Sequence, residues 1–148
     1  MVKPYVKYGV PVFLIILIAA GCKMDASAPY VISKPVCKIG AQDGICRFAG
    51  VFFDFYNASA KTVSAIEIHC MIYADSGGKN PFIGSNSIRS RFERPIAPQE
   101  LKNLCAVLDA YITVIPEKPY IVDQFFIAKI EYTDGSTWTD TFGIYEGE

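Results

Sequence analysis

Residues 63–73 read VSAIEIHCMIY and alternate clearly from Ile66 onward. Ile66, Ile68, Cys70 and Ile72 fall on one side of an extended chain, and Glu67, His69, Met71 and Tyr73 on the other. A period of two is the mark of a half-buried strand, with the isoleucine side toward the core. The flanking segments behave alike. In Ile45 to Tyr56, Val51, Phe53 and Phe55 oppose Phe52, Asp54 and Tyr56. Tyr120 to Tyr132 aligns Phe126, Ala128, Ile130 and Tyr132 against Lys129 and Glu131, and Ser87 to Arg94 sets Ile88, Ser90 and Phe92 against Arg89, Arg91 and Glu93.

Turn chemistry separates these runs. Asn57–Lys61, the breaker cluster Asp75–Pro81, Pro95–Glu100 and Pro116–Pro119 each interrupt the pattern, and Thr133-Asp-Gly-Ser136 is the sharpest hairpin signal. Tyr30 to Ile39 reads as an edge strand, because Pro35 removes a ladder donor. Leu101 to Leu108 fits a short helical stripe or a strand; its strand-like neighbours favour the strand. Tyr111 to Ile115 is β-prone, and Thr137 to Tyr145 returns as the last strand. The expected fold is all-β, an antiparallel sandwich of seven or eight strands, with an open barrel as the alternative.

The first residues follow different rules. Lys3 and Lys7 precede VPVFLIILIAA at 10–20, an apolar run of eleven. A spanning helix needs about 20 such residues, whereas a signal peptide needs fewer. Ala19-Ala-Gly-Cys22 resembles the lipobox of bacterial lipoprotein precursors, with Ala19 where Leu is commonest. The resemblance implies a signal peptide at 1–21, lipid on Cys22, a tether at 22–29 and a folded domain at 30–148. It places the domain in the bacterial cell envelope, at a membrane surface facing away from the cytoplasm. The segments Asn57–Thr62, Pro95–Pro98 and Tyr132–Ser136 are also similar to those of β-sandwich domains in exported bacterial proteins. That likeness spans about residues 45–142 and implies an immunoglobulin-like fold.

Export makes disulfides permissible. Cys37, Cys46, Cys70 and Cys105 allow three connectivities. The preferred pairs are Cys37–Cys46 and Cys70–Cys105, the alternative being four buried thiols. Their spacing matches no common zinc site, so no metal or other cofactor is expected.

Chemistry-bearing residues are sparse. The formal net charge of −1 excludes a strongly basic nucleic-acid binder. His69, the only histidine, could serve a hydrolase as base, but no Gly-x-Ser-x-Gly elbow accompanies it. Asp75, Asp109, Asp123, Asp134 and Asp140 offer carboxylates with no spacing that pairs them, and the Asp75 loop lacks calcium-loop spacing. The candidate interaction residues are Arg89, Arg91 and Arg94, a basic cluster suited to anionic headgroups, glycan carboxylates or an acidic partner. Phe52 and Tyr56 join them as aromatics on the less apolar side of their strand; bulges or covering loops are the structural alternative. The expected role is a lipid-anchored, non-enzymatic binder of an envelope protein or glycan. An exported hydrolase or carbohydrate-active accessory domain is the rival.

Overall fold

The computed structural model describes residues 27–145. The expected signal peptide at 1–21, Cys22 and the first residues of the expected tether lie outside the described residues. Eight strands form among those described: β1 Tyr30–Ile32, β2 Val36–Ile39, β3 Ala49–Asn57, β4 Val63–Tyr73, β5 Ser87–Phe92, β6 Leu101–Val107, β7 Ile121–Tyr132 and β8 Thr137–Thr139. They make two four-stranded antiparallel sheets packed together. In the first, β3 pairs with β1 and β2 on one side and with β6 on the other; the second runs β5–β4–β7–β8. No helix among the described residues is long and apolar enough to cross a membrane.

From Ile66 on, the alternation of β4 places its side chains as expected, while Val63 and Ala65 before it are also buried across a register shift. Ile66, Ile68, Cys70 and Ile72 are at most 1% exposed. Val51, Phe53 and Phe55 of β3 meet them from the opposite sheet, with Phe125, Ile127 and Ile130 of β7 beside them. Each such side chain removed from water contributes roughly 1.5–3 kcal/mol. β6 is a strand, in register with β3 from Gly50↔Val107 to Tyr56↔Leu101.

Several expectations are corrected. The first predicted strand is two: Ile32 pairs with Phe55 and Val36 with Phe52, so residues 33–35 face only two partners and Pro35 sits in a bulge. Residues 45–48 are not strand, because the Asp109 carboxylate holds the amides of Arg47 (2.7 Å), Phe48 (2.9 Å) and Ala49 (3.3 Å). Tyr111–Ile115 forms no strand. Ile112 packs on the core, while Val114 and Ile115 are 72% and 56% exposed. Pro116 and Pro119 beyond them supply no ladder donors. The last strand ends at Thr139, since buried Asp140 turns the chain by accepting the amides of Phe142 and Tyr145.

β7 also changes phase. Glu67 pairs with Lys129 but Ile68 pairs with Ile127, leaving Ala128 as an extra residue. A second register shift, between His69 and Met71, coincides with Gln124 in the left-handed region at φ +48°. Phe125 and Ile127 therefore join Ile130 and Tyr132 inside, and Phe126 turns to the outer face against His69. The single aligned face expected for Phe126, Ala128, Ile130 and Tyr132 is thus broken by bulges.

Candidate binding cleft on the second sheet

Strand register assembles the outer face of the second sheet. One row runs Arg89–His69–Phe126, the next Arg91–Glu67–Lys129–Thr139. A cleft of about 270 Å³ opens on this face, lined by Arg89, His69 and Phe126 of the first row and by Glu67, Lys129 and Thr139 of the second, together with Asp140 and Thr141. The bulge at Ala128 creates the floor, because it turns Phe126 outward; its ring centroid lies 5.1 Å from that of His69.

The arginines divide by role. Arg91 binds Glu67 at 2.8 Å, Glu93 at 2.9 Å and Glu131 at 2.7 Å. The Arg91 guanidinium, with help from Lys129, holds the Glu131 carboxyl down to about 2. Arg89 makes no ion pair among the described residues and is exposed. Arg94 lies past the end of β5, beside a small pocket shared with Ile45, Phe92 and Cys105. The expected trio is therefore not one cluster: one guanidinium is neutralised, one stands free at the cleft, and one belongs elsewhere.

His69 Nε2 lies 2.7 Å from Ser87 Oγ, while its Nδ1 is buried with no hydrogen-bond partner among the described residues. Burial, then the Arg89 charge, lowers its pKa, favouring the neutral ring. A base of the serine-hydrolase type has an acid on the second nitrogen, orienting the ring and stabilising the imidazolium. His69 has none. The nearby Asp140 carboxylate instead accepts backbone amides, 3.2 Å from Phe142 N and 3.0 Å from Tyr145 N. Burial raises its pKa, and these amides outweigh burial and lower it.

The other acids hold backbone amides in turns, at a β7 bulge and in the segment before β3. Asp75 accepts Gly77 N, Asp123 accepts Gln124 N, Asp134 accepts Ser136 N and pairs with Lys61, and Asp109 pins residues 47–49. No group of three His, Cys, Asp or Glu side chains suited to a metal ion occurs among the described residues.

Phe52 and Tyr56 lie on the outer face of the first sheet, in register with Cys105 and Leu101 of β6. Phe52 is only 7% exposed, with Lys38 Nζ 4.7 Å from its ring centroid. The covering alternative therefore holds for Phe52, and Tyr56 is half-buried.

The expected disulfides are overturned: all four described cysteines are free thiols. Cys37 faces the core beside Val51, whereas Cys46 lies over Gly50, on the opposite side of β3. Cys70 is buried in the second sheet, and burial pushes its thiol up to about 12. Cys105 shares the outer face of the first sheet with Phe52, so Cys70 and Cys105 belong to different layers. The thiols that do adjoin are Cys46 and Cys105, both over Gly50, where a Cβ would come 2.5 Å from the Cys105 sulfur.

Ser87 and Thr139 carry no motif; only strand register brings them to His69 and Lys129. No family model, no characterised protein and no solved structure matches the chain. Its class rests on its own geometry: an all-β domain of two packed sheets with a polar cleft on one outer face.

Proposed function

We propose that the chain is an exported bacterial lipoprotein, held by lipid on Cys22, whose immunoglobulin-like sandwich binds an envelope protein or glycan without turning it over. The strand order supports the finer fold. With β1 and β2 taken as one interrupted strand, the sheets follow A–B–E and C′–C–F–G of an immunoglobulin sandwich lacking strand D. The binding face is the outer side of the second sheet.

The observation that carries this reading is the free guanidinium of Arg89 beside a cleft whose histidine has no acid partner. Arg89 offers a fork for a carboxylate, and Thr139 and Thr141 offer hydroxyls along the same wall. The rival hydrolase reading has one observation in its favour, the 2.7 Å approach of Ser87 Oγ to His69 Nε2. The orphaned Nδ1 and the engagement of Asp140 by backbone amides weigh against it.

Crosslinking in intact cells, followed by mass spectrometry, tests the proposal. It predicts an N-terminal peptide with lipid-modified Cys22 and crosslinks to an envelope component. An unmodified Cys22, or a fluorophosphonate adduct on Ser87 accompanied by ester turnover, contradicts it.

A further inference from the structure

Phe142 and Ile144 are 84% and 74% exposed and flank Gly143, after β8. The segment that carries them is fixed. Asp140 N donates to Ala128 O at 3.0 Å, and the Asp140 carboxylate accepts the amides of Phe142 and Tyr145. Gly143, at φ +69°, lies so close to Phe126 that a Cβ would meet its ring at 2.9 Å. A structured turn thus holds two large apolar side chains in water.

The position of this tip is informative. Tyr30 Oη donates to Tyr145 O at 3.2 Å, and Trp138 packs on Tyr30 (centroids 5.3 Å apart) and on Tyr145 (5.7 Å). The tip therefore adjoins β1, where the chain enters the fold: Ala28 already packs on the core, and Pro29 O accepts Ala58 N. From Ala28 back to Cys22 the chain spans at most roughly 20 Å. Residues 141–145, Thr-Phe-Gly-Ile-Tyr, carry no charge whose desolvation would oppose burial.

We propose that Phe142 and Ile144 dock into the interfacial zone of the bilayer that holds the lipid on Cys22, fixing the orientation of the sandwich above it. The proposal rests on the lipid-anchor reading. The short tether favours the bilayer over other occupants, because it confines the tip near the membrane and makes docking intramolecular. Aromatic Tyr145 beside the tip suits the headgroup level.

The test uses the product purified from cells expressing the full chain, in phosphatidylcholine vesicles, zwitterionic because Glu146 and Glu148 follow the tip. Tryptophan fluorescence is measured for F142W, with the wild-type Trp138 signal as background, and phosphatidylcholine brominated high on its acyl chains is the quencher. Docking predicts bromolipid quenching at least severalfold greater for F142W than for wild type, and its reduction in F142W/I144S. Vesicle-bound F142W that bromolipid leaves unquenched overturns docking while the anchor reading stands. Shielding from aqueous iodide without bromolipid quenching assigns the tip to another protein surface and also overturns it. A chain that does not bind the vesicles and lacks lipid overturns the anchor reading and this proposal with it.

Discussion

Asn57 is fully buried at the end of β3, where its side chain ties a turn to the chain crossing over it. Nδ2 donates to Lys61 O (2.8 Å), Ala97 O (3.0 Å) and Ile96 O (3.1 Å), while Oδ1 accepts Ser59 N (3.1 Å) and Ser59 Oγ (2.7 Å). In Asn57→Ala the three carbonyls keep other partners: Ser59 Oγ, Val63 N and Glu100 N. The loss is therefore roughly 2–4 kcal/mol, at about 1 kcal/mol net per hydrogen bond, rather than the cost of several orphaned groups. With a urea slope on the order of 1.5 kcal/mol/M, the midpoint falls by about 2 M. Asn57→Asp sharpens the test, because it replaces the donor with an oxygen facing three carbonyl oxygens. Its folded-state pKa rises above the unfolded value of about 3.9. The excess penalty is absent well below that pH and grows as pH climbs through and past it, levelling off above the folded pKa. Urea titrations at pH 3.5, 5 and 7 read this directly. If Asn57→Asp matches Asn57→Ala at pH 7, or differs from wild type equally at all three pH values, the reasoning fails.

Three further outcomes follow from other parts of the molecule. Gly50→Ala forces a Cβ to within 2.5 Å of the Cys105 sulfur and lowers stability by about 1–3 kcal/mol in thermal unfolding; adding Cys105→Ala recovers part of that loss. Arg89→Ala raises the pKa of His69, whose ring resonances, unique in the chain, report it by NMR titration; an unchanged value contradicts the placement of Arg89 beside the ring. Arg91→Ala raises the Glu131 pKa from about 2 toward the ordinary carboxylate range. Because that pKa is depressed in the fold, the stabilisation is present above about pH 4.5 in the wild type and fades as pH falls toward 2; the variant shows a shallower acid limb in its stability profile.

The strands with one polar side were legible, since Val63–Tyr73 needs only its own alternation to place Ile66, Ile68, Cys70 and Ile72 inside. β7 was not, because two bulges change its phase and Phe126, aligned with Ile130 by simple counting, ends on the other face. No local signal announces Ala128 as the extra residue; the register against β4 defines it. Arg89 and His69 were readable as polar-face residues. Their meeting with Ser87, and the difference between Arg89 and Arg91, depend on which acids neighbouring strands deliver. Cysteine pairing failed for the same reason: separation along the chain says nothing about which side of β3 Cys37 and Cys46 occupy. Asn57 read as a turn residue and Asp109 as one carboxylate among several, and the long-range bonds each makes lie beyond local pattern.

The binding role proposed for the second sheet is tested most directly by photocrosslinking in intact cells from position 89, with position 103, exposed on β6 of the first sheet, as the control. A photoreactive residue at 89 is expected to capture a defined envelope protein or glycan, and the one at 103 is not. Equal capture from both positions, or none from 89 in cells where the chain remains anchored, would contradict the account.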